Sequence, residues 1–329
     1  MHGFARGARK AALPAVAAAA LAGSMTAGTA SAAPRPPAWC KPGGTLSART
    51  MPEQVRIADC DLRGRTVRGP NGLAAVVPAD GSSLVAHALR TSGAAELRIG
   101  VDDRAGKITI RARGGRVPQG RPRAPRAPLN PCSDGAYQLE PSKWPKGSTV
   151  QWRYHPGTAG HPRDVITKGV ANMASANTDC TSTHHFTPPP DISESNTGDS
   201  ATGLNVTASA TCGTRDQVST FGWQSMDRAE NDVLAATCIW YEGAATLETD
   251  MALQEHGKQW WTGGTCTPGS YSAEAVATHE AGHVFGLSHV EGTDHSNLTM
   301  APSVAACDNA PATLGKGDYD GLIALYGPN

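Results

Sequence analysis

The chain of 329 residues is neutral overall, with 29 Lys plus Arg against 29 Asp plus Glu. This neutrality is a cancellation: residues 1–131 carry 20 basic against 7 acidic side chains, and residues 132–329 carry 9 against 22. Beyond an alanine-rich run near the N-terminus no segment is apolar enough to span a bilayer, which excludes a polytopic membrane protein.

In chain order, Arg6, Arg9 and Lys10 precede a small apolar run from Ala11 to Ala22, and Ala30-Ser31-Ala32 fits a small-residue cleavage site. Residues 1–32 therefore read as a secretory signal peptide, predicting a secreted, extracellular protein. Residues 33–110 hold short β-like runs (Leu73 to Val77, Ser83 to Ala88, Leu97 to Val101, Lys107 to Arg111) and read as a small β-rich N-terminal or pro module. Residues 111–131 form a basic linker, with six arginines between Arg111 and Arg126 among Pro and Gly. No aromatic residue interleaves those arginines, so the linker lacks the stacking surface a single-stranded nucleic acid would use. The opposed charges of the two halves predict that the basic front module docks on the acidic C-terminal domain.

Export suits the cysteines, which are even in number: Cys40, Cys60, Cys132, Cys180, Cys212, Cys238, Cys266 and Cys307. Four disulfides are expected, and sequence does not fix their connectivity. Cys40 with Cys60 is the expected front pair. The working assignment for the rest is Cys180 with Cys212, Cys266 with Cys307, and Cys132 with Cys238.

Residues 132–329 read as one α+β domain. Thr149 to Tyr154 suggests a first strand and Pro162 to Ala176 a first helix; Gly203 to Ala208 and Ala235 to Trp240 suggest further strands. Leu247 to Leu253 alternates apolar and polar residues as a half-buried strand should. Trp260, Trp261 and Tyr241 are candidates for substrate contact, though aromatic side chains more often pack.

The chemistry is concentrated in His279-Glu280-Ala281-Gly282-His283-Val284-Phe285-Gly286-Leu287-Ser288-His289. Residues four apart lie one helical turn above each other, so His279 and His283 can share one metal. Gly286 is a natural helix stop, because glycine accepts the left-handed conformation that turns a chain back. That turn would bring His289 to the metal as third ligand. Three neutral nitrogens leave a tetrahedral zinc with one open position, where a bound water falls to a pKa of about 7. Glu280 is placed to act on that water as general base. Shuffling this composition would yield the five fixed letters on the order of 10⁻⁵ to 10⁻⁴ times per chain, so coincidence is a poor explanation.

Past His289, Asn297-Leu298-Thr299-Met300-Ala301-Pro302 makes the chain resemble the metzincin metallopeptidases, in which a methionine turn lies beneath the metal; Met300 is the matching residue. The tail, Asp318 to Gly327, is similar to the closing helix of the matrixin branch. The segment from Cys132 onward resembles secreted matrixin-like peptidases of bacterial type. The resemblance implies a twisted mixed sheet with a zinc-site helix and a closing C-terminal helix, one catalytic zinc ion, and hydrolysis of protein or peptide substrates by a monomer. It also implies that the strand holding Leu247, Thr249 and Met251 forms the cleft's upper rim, where an extended peptide adds as a neighbouring strand. Two features depart from relatives. Pro302 stands where some metzincins carry a tyrosine, and no counterpart of the animal enzymes' loop for calcium and a second zinc is found. Calcium therefore stays open. The competing expectation is a secreted binding or adhesion protein with a purely structural zinc; the presence of Glu280 argues against it.

Overall fold

The computed structural model describes residues 36–329 except 42, 115–126 and 230–231. The signal-peptide segment and most of the arginine linker lie outside the described residues.

Among the described residues up to 114 there are seven strands: β1 (Leu46–Ser47), β2 (Gln54–Arg56), β3 (Thr66–Arg68), β4 (Ala74–Val76), β5 (Ser83–Arg90), β6 (Gly93–Asp102) and β7 (Lys107–Gly114). There follow β8 (Gln138–Leu139), β9 (Thr149–His155), helix α1 (Asp164–Ala174), β10 (Ser193–Asp199), β11 (Thr211–Cys212), β12 (Thr220–Gln224), β13 (Val233–Glu242) and β14 (Ala245–Gln254). The chain closes with β15 (Trp260–Trp261), β16 (Tyr271–Ser272), helix α2 (Ala273–Val284), β17 (Leu287–Ser288) and helix α3 (Lys316–Tyr326). The α+β expectation holds, as a mixed sheet with few helices.

Nine strands share one sheet in the order β10-β9-β12-β14-β13-β5-β6-β7-β2. The first four pair in parallel, and from β14 onward every pairing is antiparallel. The front strands thus continue the sheet of the C-terminal half. Residues 36–329 make one compact unit.

Each face of the sheet covers its own apolar core. One core gathers Val150, Trp152, Phe221, Leu253 and Leu89 against α1, α2 and α3. The other joins Leu84, Ala86, Leu97 and Ile99 from the front strands to Ala236, Cys238, Trp240 and Ala252. β5 is buried on both faces, which explains why its sequence is a continuous run of apolar and small residues around His87.

Helix α2 lies at the centre. The Ser272 hydroxyl caps its start by accepting the Ala275 N–H at 3.1 Å. Eleven of its residues are buried, so it shows little amphipathic character. It runs against α1 at Gly169, where an added Cβ would stand 2.5 Å from the Ala277 Cβ. Tyr326 of α3 donates to the Phe285 carbonyl at 2.9 Å, tying the closing helix to the end of α2.

Several expectations are corrected. Gly203 to Ala208 is not a strand; only Val206 forms a bridge, with Cys212. β10, Ser193–Asp199, went unseen because it holds no large apolar residue, and its place at the sheet edge requires none. The disulfides are Cys40–Cys60, Cys132–Cys180, Cys212–Cys238 and Cys266–Cys307. The first and last match the working assignment. The middle two do not, because β13 carries Cys238 beside Cys212, while Cys132 lies near Cys180.

Gly169→Leu should force α1 off α2 and lower stability by about 1–3 kcal/mol, on the scale of overpacking. The denaturant midpoint checks this, and an unchanged midpoint would contradict the tight helix contact.

Candidate metal centre

His279 and His283 sit one turn apart on α2 with Glu280 next to the first, and all three are completely buried. After the helix, Gly286 adopts φ 89°, as expected for the turn that ends it. The chain then pairs β17 with β8 and delivers His289 back over the helix. His279 Nε2 and His289 Nε2 are 3.1 Å apart, and so are His283 Nε2 and His289 Nε2. The opposite ring nitrogens are already engaged: His279 Nδ1 donates to the Thr299 carbonyl at 2.7 Å and His283 Nδ1 to the Leu287 carbonyl at 2.9 Å. With Nδ1 protonated, each Nε2 is left with a lone pair turned toward the common centre.

Burial pushes all three imidazoles down, His279 to about 4 and His283 and His289 well below the usual value. They are therefore neutral, the form that binds metal. Burial pushes the Glu280 carboxyl up to about 7, with the Thr237 hydroxyl pulling the other way. Thr237 on β13 donates to Glu280 Oε2, while Glu280 Oε1 is buried with no protein partner.

Beneath the histidines, Met300 packs its sulfur on bare backbone; a Cβ on Gly282 would stand 2.1 Å from Sδ. Asp318 lies in the first turn of α3. Its carboxylate accepts the N–H groups of Gly315 and Thr299 at 2.9 Å and of Met300 at 3.0 Å, fixing the methionine turn to α3.

Residues expected on the cleft rim are placed elsewhere. β14 is paired with β13 on one side and, over Asp250–Gln254, with β12 on the other, so its second half offers no edge to a peptide. Thr249 and Met251 are fully buried, and Leu247 is half-exposed. The strand next to Glu280 is β13. Trp260 donates to the Gln254 carbonyl and Trp261 to that of Gly264, so both indoles serve local structure.

One cluster at this centre was not anticipated. His87 of β5 stacks face to face on His283, with centroids 3.8 Å apart and planes 5° from parallel, and meets His289 edge-on at 5.2 Å. His87 Nε2 lies 3.0 Å from Glu140 Oε1, and Arg98 bridges Glu140 and Glu96. Burial would keep His87 neutral, but the Glu140 carboxylate raises it above the usual imidazole value. Its only sequence signal was an imidazole inside an apolar strand. The ring nitrogens of His87, His283 and His289 lie within 4.8 Å of one another, as do the donor atoms of His87, Glu96 and Glu140.

The converging imidazoles define a histidine-rich centre able to hold a metal ion. Residues 223–327 match the family model described as matrixin, a stretch that includes all of the zinc motif, Met300 and all of α3. This segment is matrixin-like, of the metzincin type, a family of zinc metallopeptidases. No curated protein matches the chain.

Asp318→Ala should remove three hydrogen bonds to a buried charge and destabilise the fold by at least about 1.5–3 kcal/mol, the scale of one such bond. Thermal unfolding of the variant checks this; an unshifted midpoint would remove the anchoring role.

Proposed function

We propose that the chain is a secreted zinc endopeptidase in which His279, His283 and His289 hold one zinc ion and Glu280 is the general acid-base. The observation that carries the reading is the approach of His279 Nε2 and His283 Nε2 to His289 Nε2, with the first two rings already oriented by backbone carbonyls. Three imidazole nitrogens fit a catalytic zinc, which takes three protein ligands and keeps one position open. When bound, zinc would supply Lewis-acid polarisation of a peptide carbonyl and a water of lowered pKa.

The chain's own residues account for the rest. Thr237 holds one oxygen of Glu280, leaving Oε1 to take the proton of the attacking water. A carboxyl group poised near neutrality suits both accepting that proton and passing it to the departing amine. Met300 and Asp318 keep the floor of the site in place. The unpartnered Oε1 favours the enzyme over an adhesion protein with a structural metal, since a structural centre has no use for a second, free carboxylate oxygen.

Secretion is supported by the leader-like front segment and by four disulfides. Among the described residues no helix is long and apolar enough to cross a membrane.

Glu280→Ala should keep stoichiometric zinc and the wild-type unfolding midpoint while losing peptide hydrolysis by at least about a hundredfold. His283→Ala should lose the zinc itself. Undiminished hydrolysis by Glu280→Ala would remove the proposed role.

A further inference from the structure

The disulfide Cys266–Cys307 joins the segment that leads into helix α2 to the segment that follows the methionine turn. Cys266 lies in the loop between β15 and β16, ahead of the Ser272 cap, and Cys307 lies in the stretch 301–309. Both ends of that stretch are secured by other means. Upstream, Asp318 accepts the Thr299 and Met300 N–H groups. Downstream, the Leu314 N–H donates to the Asn177 carbonyl at 2.7 Å and the Asn172 amide to the Ala312 carbonyl at 3.0 Å. Between these ends Val304 enters the core, the Cys307 N–H donates to the Ser270 carbonyl at 2.8 Å, and the Asn309 side chain accepts the Ser272 hydroxyl. The disulfide is the covalent part of this middle hold.

Two features set this bond apart from the equally accessible Cys132–Cys180, and exposure sets it apart from the rest. Cys307 is exposed and Cys266 half-buried, while Cys60, Cys212 and Cys238 are buried. Alone among the eight cysteines, Cys307 has a positive φ, 56°. A residue with a side chain disfavours that left-handed conformation, so the clamp holds backbone that relaxes when released. The Sγ atoms of Cys266 and Cys307 each stand 3.3 Å from the Thr267 carbonyl oxygen. A disulfide sulfur has no proton to donate, whereas each thiol formed by reduction has one. The acceptor for the reduced form is already in place, and stabilising the reduced form makes a disulfide easier to open.

We propose that Cys266–Cys307 is a thiol–disulfide exchange site for a dithiol reductant, opened while the metal centre stays assembled. A thiolate of the reductant attacks the exposed Cys307 sulfur, the bond between the two cysteines breaks, and Cys266 leaves as a thiolate. The reductant's second thiolate then attacks the mixed disulfide, closing the reductant's own disulfide and freeing Cys307. Two electrons pass from the dithiol to the cystine, and the dithiol's two protons end on the two cysteines. Opening frees the stretch 301–309, of which Pro302 and Ser303 line a cavity of about 450 Å³ together with Glu291, Gly292 and Ser296 from the loop after His289. The surface beside the centre is thereby reshaped without removal of a histidine. The inference goes beyond the peptidase reading and does not depend on it.

The test treats the folded full chain with dithiothreitol, quenches with iodoacetamide and maps the labelled cysteines by mass spectrometry. Cys266 and Cys307 should label at least about tenfold faster than Cys132 and Cys180, the scale of relaxing one left-handed residue. Equal labelling of the two pairs, or labelling of all eight cysteines together as in global unfolding, would overturn the inference. A second measurement takes the zinc-loaded Cys266→Ala/Cys307→Ala double variant. Its amides over 303–309 should exchange at least about tenfold faster than those of wild type, with zinc retained and α2 equally protected. Unchanged exchange over 303–309, or loss of the zinc, would contradict a clamp that opens on its own.

Discussion

Three imidazoles that turn their free lone pairs toward one another do not stay together without something positive between them. In this fold the rings have little freedom to turn away. The carbonyls of Thr299 and Leu287 hold the other nitrogens of His279 and His283, and burial keeps the rings neutral. On the proposed reading a divalent cation at the centre would resolve this arrangement, with the elements around it holding the rings in place.

That support comes from sequence-distant elements. Ser272 starts the helix, Gly286 ends it, and α1 packs against it at a glycine. Met300 fills the space below because Gly282 has no side chain, and the buried Asp318 carboxylate keeps the methionine turn in position. From the opposite side, β13 brings Thr237 to Glu280. The same strand carries β5 on its outer edge, so the strand that orients the carboxylate also anchors the segment that covers it.

The legible and illegible parts of this protein divide along physical lines. The zinc motif was readable because its chemistry lies within eleven successive residues and follows the helical repeat, with a glycine where the helix must stop. α1, β9 and β13 were readable from periodicity. His87, Glu140 and Arg98 were not, since only the pairing of β5 with β13 and β6 brings them to the histidines, and strand pairing across such separations leaves no local signal. The charge asymmetry pointed to an association between front and back halves. The observed association is built from a backbone ladder and an apolar core. Arg90–Asp232 and Arg98–Glu140 follow the expected polarity, while Arg215–Asp80 reverses it. β14 alternates as an edge strand would, yet over Asp250–Gln254 it lies between two partners.

The central claim is that one zinc ion is held by three histidine nitrogens. Zinc X-ray absorption on the purified chain, with metal content measured alongside, tests it most directly. The account predicts one zinc per chain with three imidazole nitrogens at about 2.0–2.1 Å and no sulfur. Absence of zinc, or a first coordination sphere containing sulfur or fewer than three imidazoles, would contradict it.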